Sequence, residues 1–190
     1  MSTATSLPNM LTYGRIVAVP AVFATYFVEG DAARWIGLVI FIFAAVTDYF
    51  DGYLARAWHQ QSALGRMLDP IADKLLVAAC LVMLVANKTI ASHALVAATI
   101  ILAREILVSG LREFLAELKV GMPVTNLAKW KTAVQLIAIG FLLAGPAGEK
   151  ILPHTTDIGI WLLWAAAILT IVTGWDYLRA GLEHLVEDDR

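Results

Sequence analysis

Charged residues are scarce in this chain of 190 amino acids. They make up 16% of it, whereas hydrophobic residues make up 59% and the mean hydropathy is +0.73. A soluble domain usually contains about a quarter charged residues, so the composition excludes an ordinary water-soluble globule. The formal net charge is −2, which gives no electrostatic reason to expect nucleic acid as a partner.

Cysteine and early basic residues are also lacking. Cys80 is the only cysteine, so an internal disulfide is excluded and no oxidising compartment is implied. No lysine or arginine precedes Arg15. We therefore do not expect a cleavable secretory signal, because such a signal begins with a basic segment.

Long apolar runs predict an all-α, polytopic membrane protein with one domain over residues 1–190. A span needs roughly 20 apolar residues, and lipid requires that backbone polar groups be satisfied within each helix. Six spans are expected, at about 11–28, 33–56, 68–86, 91–118, 127–144 and 158–178. A short lead-in at 7–10 is expected to lie along the membrane interface, and a polar tail covers 183–190.

The basic residues predict the orientation of these spans. With six spans, eleven lysines and arginines fall on the side that holds both termini, and only Arg34, Lys88 and Lys150 fall on the other side. Under the positive-inside rule, this asymmetry places both termini in the cytoplasm.

The strongest motif lies where the second predicted helix ends and the third begins. It reads Asp48-x-x-Asp51-Gly52-x-x-Ala55-Arg56, then eight residues, then Gly65-x-x-x-Asp69-x-x-x-Asp73. Residues three or four apart share one face of a helix. A short loop joins the two helices, so we expect all four carboxylates to meet near the cytoplasmic boundary.

Four carboxylates in one place repel one another unless they take up protons or bind cations. Oxygen ligands favour hard ions such as Mg²⁺ or Mn²⁺, and four carboxylates could hold two ions about 3.5–4 Å apart, as in phosphoryl-transfer sites. Gly52 and Gly65 leave room for a phosphate or a neighbouring helix, and Arg56 could clamp a diphosphate. The alternative, interfacial acids paired with Arg56, Arg66 and Lys74, explains one such aspartate more easily than four.

This pattern resembles the signature of the CDP-alcohol phosphotransferase family, and every specified position is filled. Within the family, the similarity extends to the bacterial members that use glycerol 3-phosphate, through stretches at 7–12, 46–52, 68–74, 103–106, 111–114 and 129–133. The resemblance implies a homodimer of the bacterial inner membrane with its active site on the cytoplasmic side. It also implies transfer of the phosphatidyl group of CDP-diacylglycerol to sn-glycerol 3-phosphate, with release of CMP.

The resemblance assigns roles to individual residues. It implies that Mg²⁺ or Mn²⁺ is held by Asp48, Asp51, Asp69 and Asp73. Asp73 is further implied to be the general base for the acceptor hydroxyl. The CDP moiety is assigned to Asn9, Thr12, Asp48, Gly52, Arg56 and Gly65. For Asn9 and Thr12, capping of the first helix is an equally good interpretation.

An acceptor with two negative charges needs a cationic pocket of its own. Arg104 lies within an apolar helix, and Arg112 lies eight residues further on the same face. Residues two apart on a helix point to different sides, so we expect only one of Lys129 and Lys131 to reach this pocket, and Lys131 is favoured. Two alternatives stay open: Arg104 could pair with Glu105 of a neighbouring subunit, and Arg112 and the lysines could serve only to orient the chain in the membrane.

Three rival functions are compatible with acidic motifs in a membrane protein. The first keeps the chemistry but uses inositol phosphate, serine or phosphatidylglycerol as the acceptor; the cationic residues disfavour serine. The second is an intramembrane prenyltransferase, whose larger helix count and two separate aspartate motifs fit this chain poorly. The third is a divalent-cation transporter, which would place its acids near the bilayer midplane in repeated halves; no repeat is visible here.

Overall fold

The computed structural model describes residues 7–58, 63–118 and 126–188. For residues 7–9, 48–58, 63–66, 69, 117, 176 and 180–188 it describes the helix but not the side chain. Three of the four signature aspartates are among the residues whose side chains are not described, namely Asp48, Asp51 and Asp69.

Six α-helices follow one another in the described residues. They are α1 (Leu7–Ala24), α2 (Asp31–Trp58), α3 (Ala63–Ala86), α4 (Ala94–Glu117), α5 (Asn126–Glu149) and α6 (Thr155–Asp188). A short 3-10 helix, Thr25–Phe27, follows α1. No strand occurs in these ranges, so the predicted all-α class is confirmed.

The first and last helices include segments that the sequence predicts as separate from the spans. Residues 7–10 form the beginning of α1 rather than a separate segment, and their interfacial position stays a prediction. The polar tail is also helical, because α6 continues to Asp188. The tail contains leucine and two glutamates, which favour helix, so the helix does not need an apolar environment to continue.

Four of the helices are long and apolar enough to cross a membrane. The candidate spans are Met10–Phe27, Ala94–Ala116, Asn126–Glu149 and Thr155–Arg179. Large apolar side chains are exposed on them, among them Ile106 at 71% and Trp161 at 76%. Exposed apolar surface of this kind suits a lipid environment. The composition and these spans together define a multi-pass membrane protein; spanning by α2 and α3 stays a prediction.

The helices pack around one apolar core. α5 packs along α6, α1 lies against α2 and α3, and α4 packs on α6. Phe41, Leu81, Ile139 and Leu163 are almost completely buried where these helices meet. Cys80 is a buried free thiol in the same core, as expected for a cysteine with a packing role.

A break in α5 at Gly145, which precedes Pro146, confirms the predicted end of the fifth span at about residue 144. Gly145 has φ +43° and ψ −130°, a conformation that glycine adopts more readily than other residues. Beside the break, Nη1 of the Arg34 guanidinium donates to the carbonyl of Leu143 at a distance of 3.5 Å. Arg34 also reaches Oγ1 of Thr89, at 3.4 Å. α2 is thereby tied to the broken end of α5.

Candidate active site

A charged cavity of about 530 Å³ opens between α3, α4, α5 and α6. Its cationic side chains are Lys74, Arg104, Arg112, Lys129 and Lys131. Its acidic side chains are Asp73, Glu105 and Glu113. Five cations against three acids leave a formal surplus of two positive charges, which suits a dianionic ligand such as a phosphate monoester.

The two arginines of α4 reach the charged cavity together, as the sequence predicted from their spacing. Both guanidinium groups lie beside the ring of Tyr177 on α6, with Cζ of Arg104 5.6 Å and Cζ of Arg112 5.7 Å from the ring centroid. Nη2 of Arg104 donates a hydrogen bond of 3.2 Å to Oγ1 of Thr173, also on α6. α6 therefore supports the predicted anion-binding residues of α4.

Glu105 of the same chain lies beside the predicted pocket residues. Its Oε1 is 3.8 Å from Nη1 of Arg104, which is too long for a hydrogen bond. Its carboxylate instead forms a close ion pair with Lys131. Within the chain, Glu105 is thus the counter-ion of Lys131, and a pair of Arg104 with the partner subunit's acid stays a prediction.

Lys131 and Lys129 both line the charged cavity, which corrects the prediction that only one of them reaches it. Their environments differ, because Lys131 is 3% exposed while Lys129 is exposed. The cavity lies beside the first turn of α5, so side chains from two directions reach its rim. Lys131 occupies the buried position that the sequence favoured.

Asp73 is the signature aspartate whose side chain the structure describes. It is half-buried on α3 and lines the charged cavity together with the arginines of α4. Its neighbour Lys74 donates a hydrogen bond of 2.9 Å to the carbonyl of Pro70. The last acid of the signature and the predicted cationic residues thus share one cavity, a proximity that neither motif showed alone.

The other signature residues lie on the two helices that the sequence predicted. Asp48, Asp51, Gly52 and Arg56 fall in the last eleven residues of α2, and Gly65 and Asp69 fall in the first two turns of α3. The side chains of these residues lie outside the described part of the structure. On the helices, the spacings of three and four residues place each aspartate pair on one helix face. A donor set made only of carboxylates fits a hard divalent cation.

α1 contributes two buried polar residues. Thr12 is 2% exposed and Arg15, one turn further on the same face, is 1% exposed. The sequence assigned Thr12 to the CDP moiety but used Arg15 only as a basic residue that orients the chain. Complete burial gives Arg15 a local role beyond orientation. The side chain of Asn9 lies outside the described residues.

Sequence reasoning missed the supporting residues on α6. Thr173 and Tyr177 are 1% and 4% exposed in an otherwise apolar helix, and they are four residues apart on one face. A buried hydroxyl pair at that spacing is a signal of polar contacts between helices. The sequence of α6 alone does not show which helix this hydroxyl pair contacts.

Comparison with known proteins agrees with this arrangement. A family model described as CDP-alcohol phosphatidyltransferase matches residues 5–172. The chain is 45% identical to the CDP-diacylglycerol–glycerol-3-phosphate 3-phosphatidyltransferase of Rickettsia bellii, over 92% of this chain and 94% of the relative. It is 40% identical to the protein of that name from Cereibacter sphaeroides, over 96% and 98%. It is also 40% identical to the second such protein of Arabidopsis thaliana, over 92% and 78%.

The charged cavity, the aspartate signature and the apolar helices define a membrane-embedded transferase that handles phosphorylated substrates. The chain belongs to the CDP-alcohol phosphatidyltransferase family. Enzymes of this family use divalent metal ions, in agreement with the carboxylate signature.

Proposed function

We propose that this chain transfers the phosphatidyl group of CDP-diacylglycerol to sn-glycerol 3-phosphate, giving phosphatidylglycerophosphate and CMP. The observation that carries the proposal is the charged cavity, which is lined by Asp73 together with Arg104, Arg112 and Lys131. A phosphorylated alcohol would place its phosphate among the cations and its hydroxyl near the carboxylate. The printed names of the similar proteins support the same donor and acceptor.

Asp73 is the proposed general base. Its carboxylate accepts the proton of the acceptor hydroxyl as that oxygen attacks phosphorus in line with the departing CMP. The new phosphorus–oxygen bond forms while the bond to the CMP oxygen breaks, so no covalent enzyme intermediate is needed. Holding the hydroxyl at the carboxylate supplies the orientation that such a displacement requires.

Asp48, Asp51, Asp69 and Asp73 are the proposed holders of two Mg²⁺ or Mn²⁺ ions. When bound, such ions neutralise charge on the diphosphate and on the departing phosphate oxygen. Asn9, Thr12, Asp48, Gly52, Arg56 and Gly65 are the proposed contacts of the CDP moiety. For Thr12, burial at the start of α1 fits an enclosed polar contact.

The proposal also covers the orientation of the protein in the membrane and its assembly into a homodimer. The charged cavity lies at the end of the helices that carries most of the basic residues, and the positive-inside rule favours the cytoplasmic side for that end. We propose a bacterial inner-membrane enzyme with both termini in the cytoplasm, which works as a homodimer.

The test is CMP release by the purified protein in lipid nanodiscs containing CDP-diacylglycerol. With Mg²⁺ or Mn²⁺ present, we expect CMP only when glycerol 3-phosphate is added, and not with inositol phosphate, serine or phosphatidylglycerol. EDTA should abolish release, and excess Mg²⁺ or Mn²⁺ should restore it. Release confined to inositol phosphate would overturn the acceptor assignment, and undiminished release in EDTA would overturn the metal assignment.

A further inference from the structure

Tyr177 is the residue that the two arginines of the charged cavity have in common. Its side chain is 4% exposed, and both guanidinium carbons lie less than 6 Å from its ring centroid. This is the range in which the negative face of an aromatic ring attracts a cation. The ring therefore favours the placement of two like charges that would otherwise repel each other.

The ring supports these cations without using their hydrogen-bond donors. A carboxylate at the same place would bind the guanidinium donors and compete with an incoming phosphate, whereas a ring face accepts the charge as a whole. Arg104 shows the consequence: its Nη2 binds Thr173, while its Nε is buried with no hydrogen-bond partner among the described residues. Donors of Arg104 thus remain available to a ligand.

α6 also restricts the aliphatic part of the Arg104 side chain. A Cβ placed on Gly174 would lie 3.1 Å from Cγ of Arg104, which is tighter than an ordinary contact. Gly174 therefore lets the stem of Arg104 lie flat against α6, between Thr173 and Tyr177. Three neighbouring positions of one helix fix the stem and one nitrogen of the guanidinium.

We propose that Tyr177 is a positioning residue for the acceptor: its ring holds Arg104 and Arg112 ready to bind the phosphate of glycerol 3-phosphate. The inference rests on the proposed function, because it takes the two arginines as ligands of the acceptor phosphate. Tyr177 acts through them and does not itself touch the reacting atoms.

The first experiment measures steady-state kinetics of three variants in nanodiscs. Tyr177→Leu removes the ring, and it should raise KM for glycerol 3-phosphate roughly tenfold, because two cation–ring contacts are lost. KM for CDP-diacylglycerol should change less than about twofold. Tyr177→Phe keeps the ring and should stay within about twofold of the parent protein for both substrates. Trp175→Leu is the matched control, an aromatic residue of the same helix that is 68% exposed, and it should change neither constant.

A second experiment takes Tyr177→Phe as its reference and changes the charge distribution of the ring with little change in its shape. Phenylalanine analogues carrying one, two and three ring fluorines weaken the negative face stepwise. The logarithm of KM for glycerol 3-phosphate should rise with each added fluorine, while the thermal unfolding temperature stays level. The fluorine series tests the positioning role of the Tyr177 ring even if Tyr177→Leu fails to fold.

Three outcomes would overturn the inference. One is a fluorine series with no trend, the second is a Tyr177→Phe variant as impaired as Tyr177→Leu, and the third is an equal rise of KM for both substrates. Arg104→Ala separates the inference from the proposed function. If Arg104→Ala raises KM for glycerol 3-phosphate and the fluorine series is flat, only the positioning role fails. If Arg104→Ala leaves that KM unchanged, the acceptor site itself is misassigned.

Discussion

The ammonium group of Lys131 is paired with the carboxylate of Glu105, and this ion pair joins α5 to α4 inside the charged cavity. Both side chains are largely buried, with 4% and 15% of their surface exposed. An acid within a site for an anion competes with that anion for the cation. The pair therefore holds Lys131 in place, and under the proposed function the acceptor phosphate would have to share Lys131 with this carboxylate or replace it.

Neutralising this acid should make the protein depend on its ligand for stability. In Glu105→Gln, the buried Lys131 loses its counter-charge, which in other buried pairs costs about 3–5 kcal/mol. We expect a lower unfolding temperature without ligand, and a larger rise on adding glycerol 3-phosphate than in the parent protein, because the phosphate supplies the missing negative charge. The measurement is thermal unfolding in detergent with and without the ligand.

Glu149→Gln is the control for that prediction, because Glu149 is exposed at the far end of α5. It should change neither the unfolding temperature nor the response to ligand. A Glu105→Gln protein that gains no more from glycerol 3-phosphate than the parent would show that the phosphate does not approach Lys131.

Removing the carboxylate of Asp73 should stop the reaction without preventing the binding of the lipid nucleotide. A general base contributes typically 10²- to 10⁴-fold to a rate, so Asp73→Asn should lose at least about a hundredfold in kcat. Binding of CDP-diacylglycerol, followed by calorimetry, should persist. Asp157→Asn is the control: this exposed acid at the start of α6 pairs with His154 and should leave turnover unchanged. Near-normal turnover of Asp73→Asn would remove Asp73 from the role of base.

The parts of the site that share one helix could be predicted from the sequence. Arg104 and Arg112 face the same way because eight residues are a little over two turns of a regular helix, and the structure confirms it. The break of α5 was also predictable, because a Gly-Pro pair ends a regular helix. In both cases the structure is determined by residues that are close together in the sequence.

The parts that depend on packing between helices could not be predicted. The contact of Tyr177 with two arginines exists because α6 packs on α4, and no local pattern specifies that pairing. The error about Lys129 has a similar cause. Spacing on a helix tells which way a side chain points, but the width of the cavity beside the first turn of α5 is set by the neighbouring helices.

Gly145 should be intolerant of a side chain. At φ +43° an ordinary residue is strained, typically by about 1–3 kcal/mol, and a Cβ would lie 2.5 Å from Nη1 of Arg34. Gly145→Ala should therefore lower the unfolding temperature. Gly140→Ala in the same helix is the control, since its Cβ would make an ordinary contact of 3.6 Å with Leu38, and alanine favours helix. A Gly145→Ala protein as stable as Gly140→Ala would contradict the strain argument.

Binding of glycerol 3-phosphate should depend on the planar shape of the Arg104 guanidinium as well as on its positive charge. Losing a charged hydrogen bond costs about 1.5–3 kcal/mol, so Arg104→Ala should raise KM for glycerol 3-phosphate roughly 10- to 100-fold. Arg104→Lys should recover only part of the loss, because an ammonium cannot contact Thr173 and a phosphate with the same planar fork. Lys150→Ala, on an exposed lysine at the far end of α5, controls for general loss of positive charge. Full recovery in Arg104→Lys would mean that the site needs only a positive charge at this position.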